Sequence, residues 1–378
     1  MSDPDLHREL LHRGRFREHA NTPVLVLDRD ALARNIRAMA AFATAKGIAL
    51  RPHAKTHKSA DIARLQLAAG ARGVCCAKLG EAEALAGHGI DDILITSPVV
   101  SAPAIARLVS LRANCSRLKL VVDHPANVAE LSAALGDLEL EVLIDIDPGI
   151  RRTGVTSGDA ALKLARTIAD TRNLVYRGVQ FYCGAQQHVA TFAERHAALR
   201  DRTQYLQSIV SLLAKNDARP ETVSGGGTGS HCIDADLHVI NELQAGSYIF
   251  MDRQYADCDL TGQGWQPFEY ALFVEARVVS ANHRGIATID AGFKALSTDG
   301  GAPAILSGAP AGASFHFMGD EHAAIVDPGA SHEWQIGELV RLAVPHCDPT
   351  VNLYDAYHVV SGDTLIDIWH VTARGVSR

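Results

Sequence analysis

The sequence predicts an α/β fold: a (β/α)8 TIM barrel followed by a mostly-β domain. Three observations predict it. Eight apolar runs alternate with helix-like segments between residues 48 and 250, those runs are continuous and do not alternate with polar residues, and helical periodicity nearly vanishes after about residue 254. Continuous apolar runs mark strands buried on both faces, and eight of them interleaved with helices suggest a closed barrel. A doubly wound open sheet has the same pattern and stays the alternative. The barrel is expected over 29–256 and the β domain over 257–378.

Taken in order, residues 1–21 read as a loose, polar lead-in, and 22–28 read as a strand. Asp28 or Asp30 can cap a helix over 31–46, where Leu32, Ile36, Met39 and Phe42 recur at helical spacing. The eight barrel strands are expected at 48–54, 73–77, 92–97, 118–123, 138–147, 176–183, 222–226 and 242–250. Helices are expected between them at 60–69, 81–86, 102–111, 126–135, 160–169 and 191–214. In the β domain, strands are expected at 270–280, 285–290, 323–326, 339–344, 356–360 and 364–371.

The composition narrows the function. At 378 residues, with 47% hydrophobic and 21% charged residues, the chain is an ordinary globular protein. A net charge of −7 argues against nucleic acid or an anionic membrane as the main partner. No apolar run is long enough to span a bilayer. The seven cysteines form no CxxC pair, which points to a reduced, cytoplasmic protein.

In a barrel, chemistry sits at the C-terminal ends of the strands. The first barrel strand delivers Arg51-Pro52-His53-Ala54-Lys55-Thr56-His57-Lys58. A lysine there, among cations and partly buried, is placed to form a Schiff base; the bland reading is a solvated basic patch. The seventh ends in Ser224-Gly225-Gly226-Gly227-Thr228-Gly229-Ser230, whose backbone N–H groups and hydroxyls can approach an anion closely; the bland reading is a flexible turn. No Gly-Lys-Ser/Thr follows, so it is no Walker motif. Lysine plus phosphate cradle suggest pyridoxal 5′-phosphate. Arg152, after the fifth strand, would face the pyridine nitrogen or else make a surface salt bridge. In the β domain, Pro345-His346-Cys347-Asp348-Pro349-Thr350, read as extended, turns His346 and Asp348 to one side and Cys347 to the other. An imidazole and a carboxylate can hold a divalent metal or simply hydrogen-bond each other.

Five motifs in this order, Arg51–Lys55, Gly225–Ser230, Glu242-Leu243-Gln244-Ala245-Gly246-Ser247-Tyr248, Asp290-Ala291-Gly292-Phe293-Lys294 and Pro345–Thr350, resemble the D-threonine aldolase / D-serine dehydratase family of alanine-racemase-like, fold-type III pyridoxal-phosphate enzymes. The resemblance implies that Lys55 is the amine joined to the cofactor. Thr228, Gly229, Ser247 and Tyr248 would hold its phosphate, Tyr182 and Arg152 would flank its ring, and His346 and Asp348 would bind the metal. It implies a homodimer with the active site at the subunit interface, and it assigns 22–28 to the β domain. His-x-Asp, in place of the His-x-Cys of the dehydratase branch, places the chain with the aldolases and favours Mn²⁺ or Mg²⁺. The implied reaction is retro-aldol cleavage of a D-β-hydroxy-α-amino acid, D-threonine-like or D-3-hydroxyaspartate, to glycine and an aldehyde, with His188 as base. The alternatives are a D-serine or 3-hydroxyaspartate dehydratase and a non-catalytic carrier of the cofactor. His53 and His57 would tune Lys55, His322 could reach the site, and Arg253 or Lys294 could read a side-chain carboxylate. Ala77 and Cys183 depart from the family pattern near the cofactor.

Overall fold

The computed structural model describes residues 3–378, with side chains from residue 5. The chain forms two compact units: Met1–Arg37 with Ser247–Asp257 and Gln266–Gly375, and Ala38–Gly246 with Cys258–Trp265 and Val376–Arg378. The first strand, β1 (Val24–Asp28), belongs to the β unit. The helix that follows it, Arg29–Lys46, is capped by Asp28, whose Oδ1 accepts from the N–H of Asp30 and Ala31 at 2.9 Å each.

The second unit is the barrel. Its strands are β2 (Ala49–Leu50), β3 (Val74–Cys76), β4 (Asp92–Ile95), β5 (Arg117–Val122), β6 (Leu140–Ile146), β7 (Leu174–Phe181), β8 (Thr222–Gly225) and β9 (Glu242–Leu243). All are parallel, in the order β2-β9-β8-β7-β6-β5-β4-β3. An isolated bridge, His53 to Cys75, joins the two ends of that order. There the Cys75 N–H donates to Pro52 O at 2.8 Å and the Arg72 N–H to Leu50 O at 2.9 Å. The end strands β2 and β9 have two residues each, far shorter than the runs expected at 48–54 and 242–250. Pro52 has no N–H to continue the ladder, and beyond Leu243 the chain turns into the 3-10 segment Ser247–Ile249. Cys75, Leu94, Val121 and Leu143 form a buried cluster across four consecutive strands. Gly178 on β7 has φ +147°, and a Cβ there would lie 1.9 Å from Thr222 O on β8. Only glycine lets these strands meet at that point. Helices Ala102–Asn114, Gly158–Ala169 and Phe192–Lys215 start on Ser101, Ser157 and Thr191, each accepting an N–H at the third helical residue.

The β unit adds β10 (Leu272–His283), β11 (Ile286–Ile289), β12 (Ala304–Ser307), β13 (Ser314–Phe317), β14 (Ala323–Val326), β15 (Leu339–Ala343), β16 (Ala356–Ser361) and β17 (Thr364–His370). Its sheet runs β13-β14-β11-β10-β1-β16-β17, with β15 pairing β10 and β12. β1 lies between β10, antiparallel, and β16, parallel, so Val26 faces Phe273 on one side and His358 on the other.

The lead-in is not loose. Phe16, 1% exposed, packs with Ala20, Val24, Val26, Val360 and Leu365 in one core cluster, a burial that contributes roughly 2 kcal/mol. His7 is fully buried, with Nδ1 2.8 Å from His358 Nε2. The Asn21 N–H donates to His7 Nε2 at 2.8 Å, so the His7 proton sits on Nδ1 and points at His358. His358 then carries its own proton on Nδ1, facing Leu25 O at 3.2 Å. Burial, with His7 beside it, holds His358 down to about 3.

Candidate active site

Lys55 lies in the 3-10 turn Ala54–Thr56 that follows β2, at the C-terminal end of the barrel strands. His53 caps that turn: its Nδ1 accepts the Lys55 N–H at 3.4 Å, and its Nε2 is 3.1 Å from Thr96 Oγ1. The Nδ1 acceptor role puts the proton on Nε2, so Thr96 Oγ1 accepts it while donating to Cys76 O at 3.2 Å. Lys55, His53, Lys78, Arg152, Tyr182 and Gln244 line one cavity of about 560 Å³, within the range of small-molecule sites. The Arg152 guanidinium stands 5.6 Å from the centre of the Tyr182 ring, a cation–π pair. The structure thus brings together Lys55, Arg152 and Tyr182 from the ends of β2, β6 and β7.

A hydrogen-bonded chain supports this cavity from inside the barrel. Asp145 accepts from Thr153 Oγ1 (2.7 Å) and Gln180 Nε2 (3.0 Å). Gln244 Nε2 donates to Gln180 Oε1 (3.2 Å) and Ser224 Oγ (2.9 Å), and Ser224 Oγ donates to Glu242 (2.8 Å). Glu242 and Asp92 flank the buried Arg51 guanidinium at 3.0 and 2.5 Å. Burial raises the Asp145 carboxyl above its ordinary value, against its two donors. Arg51 goes higher still than a free guanidinium: burial opposes its charge, but Glu242 and Asp92 outweigh it.

The glycine run holds a side chain of the protein. Gln187 is fully buried, its Oε1 accepts the Gly229 N–H at 3.0 Å, and its Nε2 donates to Ser230 Oγ at 2.9 Å. A Cβ on Gly229 would lie 2.0 Å from Gln187 O. These glycines therefore admit Gln187, and the Gly229 N–H is already used. Thr228, 1% exposed, gives its carbonyl to His231 Nδ1 at 2.8 Å. Neither Thr228 nor Gly229 lines the Lys55 cavity. Behind the run lies the helix His231–Leu237. On it, burial pushes Asp234 up to about 7 and His231 down to about 4.

His346 and Asp348 sit in the β unit. The segment is not extended as expected: His346 has β geometry, but Cys347–Val351 is a helical turn that His346 precedes. The turn nevertheless brings His346 Nε2 within 3.6 Å of Asp348 Oδ2, and Cys347 between them is buried. Asp252 Oδ2 accepts the Cys347 N–H at 3.0 Å, and Thr350 Oγ1 donates to His346 O at 2.8 Å, so the turn is fixed at both ends. The other imidazole nitrogen, Nδ1, is 2.7 Å from Asp299 Oδ2, an arrangement that orients a ligating histidine. In the sequence Asp299 stands only in an Asp299-Gly300-Gly301 stretch that resembles a loop of the family, with nothing to pair it with His346. No cluster of three His, Cys, Asp or Glu placed to hold a metal occurs among the described residues.

The remaining candidates lie elsewhere. His188 is exposed, in the turn after Gly184–Gln186, and does not line the Lys55 cavity. Ser247 and Tyr248 are buried in the β unit, where the Phe250 N–H donates to Ser247 O and the Tyr248 ring is 5.5 Å from Phe268. Arg253 pairs with Asp257 at 3.3 Å and Lys294 with Glu321 at 2.6 Å. His322 is exposed. Ala77 lines the cavity. Cys183 is buried, and burial pushes its thiol up, away from the reactive range.

These residues fit pyridoxal phosphate. The cavity supplies a lysine amine and an arginine over an aromatic ring. Beside it Thr56, fully buried, has an Oγ1 with no hydrogen-bond partner among the described residues, 2.6 Å from where a Cβ on Gly246 would sit. The pair His346 and Asp348, with one nitrogen and one carboxylate, fits a divalent cation: 3.6 Å is within reach of two ligand bonds of about 2.1 Å each.

Comparison with known proteins agrees. Residues 27–254 match the profile "Alanine racemase, N-terminal domain", and 271–360 match that of a serine dehydratase domain. A 3-hydroxy-D-aspartate aldolase of Paracoccus denitrificans (strain Pd 1222) is 38% identical, over 96% of this chain and 94% of its own. A D-threonine aldolase of an Arthrobacter species is 40% identical, over 95% and 94%. A D-threo-3-hydroxyaspartate dehydratase of a Delftia species (strain HT23) is 31% identical, over 92% and 96%. The crystal structure of D-threonine aldolase from Filomicrobium marinum superposes with a TM-score of 0.91 at 38% identity, covering 96% of this chain and 97% of that one. The chain belongs to the D-threonine aldolase / D-serine dehydratase family, whose alanine-racemase-like fold is pyridoxal-phosphate-dependent.

Proposed function

We propose that the protein is a pyridoxal-phosphate- and metal-dependent aldolase that cleaves D-β-hydroxy-α-amino acids to glycine and an aldehyde. The observation that carries this reading is the His346–Asp348 pair, one imidazole and one carboxylate 3.6 Å apart, with the intervening Cys347 buried. The two aldolase relatives, at 38 and 40% identity, support it over the dehydratase at 31%.

When bound, pyridoxal phosphate supplies a sink for the electron pair left on Cα as the Cα–Cβ bond breaks. The protein's part is binding and proton handling. Lys55 is the amine that joins the cofactor, and His53 and Thr96 fix the turn that carries it. Arg152, permanently charged, flanks the ring with Tyr182 and keeps the ring nitrogen unprotonated. Thr228, Ser247 and Tyr248 are proposed for the phosphate, with the Thr56 hydroxyl added; Gly229 would join them only by exchanging its bond to Gln187 for one to the phosphate. His346 and Asp348 would hold a divalent cation, Mn²⁺ or Mg²⁺, which would supply Lewis acidity toward the substrate hydroxyl. His188 takes the hydroxyl proton; it lies six residues beyond Tyr182 on the same strand-end loop. A homodimer and a cytoplasmic location complete the reading, the latter supported by seven free cysteines.

The test is product analysis on purified protein with pyridoxal phosphate and Mn²⁺, offering D-threonine, D-phenylserine and D-3-hydroxyaspartate. Glycine without ammonia is expected, and chelation should abolish it. Ammonia with a keto acid would overturn the reading and make the protein a dehydratase.

A further inference from the structure

We propose that Lys78 is a specificity-determining residue, its ammonium pairing at the cavity mouth with a second carboxylate on the substrate's side chain. The inference rests on the aldolase reading above and names its substrate class: 3-hydroxy dicarboxylic amino acids of the D series.

Three cations, Lys55, Lys78 and Arg152, and one carboxylate, Asp123, line the cavity. Two of the cations have uses, since Lys55 joins the cofactor and Arg152 stacks on Tyr182. Asp123 is occupied by the Gly154 N–H at 2.9 Å. Lys78 is exposed and makes no ion pair or side-chain hydrogen bond among the described residues. The carboxylate nearest in sequence, Glu81, is spent: its Oε2 accepts the N–H of Ala77 and Lys78 at 2.8 and 3.3 Å, and its Oε1 pairs with Lys58 at 3.3 Å. Glu81 thus fixes the Lys78 backbone and leaves the side chain free to reach a ligand.

Position decides which carboxylate Lys78 meets. The α-carboxylate stays with Cα, close to the amine of half-buried Lys55. The Cβ substituent departs as part of the aldehyde, so it must lie on the open side of the cavity. That side is marked by the exposed residues of the lining, Lys78, Val100 and Arg152, of which Arg152 is already engaged with the Tyr182 ring. A lysine in this place would discriminate through a charge-assisted contact. With a carboxylate as substituent, the Cα–Cβ bond breaks to leave glycine and glyoxylate, the hydroxyl proton going to the base and a proton returning to Cα, so atoms balance without a further reactant.

The test compares wild type with Lys78→Met and Lys78→Arg, each loaded with pyridoxal phosphate and Mn²⁺, on D-3-hydroxyaspartate and D-phenylserine. The ratio of kcat/KM for the first over the second should fall about 30-fold in Lys78→Met and largely recover in Lys78→Arg. An unchanged ratio, whether both rates fall together or neither does, overturns the proposal. Ammonia in place of glycine would sink the aldolase reading while the ratio still judges Lys78. If neither substrate turns over, binding decides: malonate, and not propionate, should perturb the cofactor absorbance of wild type but not of Lys78→Met. No malonate effect on wild type would reject the role of Lys78.

Discussion

Lys55 and the His346–Asp348 pair make separable demands on the chemistry. Lys55→Ala should abolish the imine absorbance of added pyridoxal phosphate along with turnover, as a spectrum read beside an activity assay would show. Asp348→Ala should keep that absorbance and lose at least about 100-fold of metal-stimulated turnover; full activity after chelation would contradict the metal role. That Lys55, Arg152 and Tyr182 share one cavity was legible in the sequence because each lies within six residues of the end of its own strand, and the barrel gathers strand ends by construction. His346 and Asp348 were expected to share one side of an extended segment, whereas a helical turn brings them within 3.6 Å. Gln187 and Asp299 carried no such signal. Their partners Gly229 and His346 lie 42 and 47 residues away, distances that only the folded chain closes.

At the level of elements, the barrel strands were readable because both faces of each are buried, which writes an unbroken apolar run. What the sequence did not show was where backbone chemistry cuts a run short. β2 stops at Leu50 because Arg51-Pro52 follows, and the helix His231–Leu237 was missed because it opens on the polar end of a glycine run. β12 and β13 escaped notice because each is four residues long and partly exposed, without a clean period. The most demanding contact between elements is Gly178 against Thr222. Gly178→Ala should cost at least about 2 kcal/mol and lower the urea midpoint, because its Cβ would fall 1.9 Å from a backbone oxygen that β8 cannot withdraw. Gly229→Ala meets a backbone oxygen as well, that of Gln187 at 2.0 Å, and should likewise lower the urea midpoint.

Over the whole molecule, two buried histidines tie stability to acidity. His358 and His231 are held down to about 3 and 4, chiefly by burial, whereas the unfolded chain titrates near 6.5. Below about pH 6.5 the unfolded state binds protons that the folded state refuses, so stability is full above that pH and declines as pH falls toward 4. Each histidine should cost about 2 kcal/mol at pH 5 relative to pH 7, lowering the melting temperature by several degrees, and His358→Gln should remove its own share of that drop. A histidine-independent pH profile would contradict the neutral His7–His358 chain. The same region bears on how the protein is made. β1 lies between β10 and β16, whose residues follow it in the chain by about 250 and 330 positions. At a synthesis rate of roughly 5–20 residues per second, Val24 to Leu27 wait tens of seconds for a strand partner. Until then β1 is an unpaired apolar strand, and the β unit can close only after the barrel segments that separate its pieces in the sequence have been made.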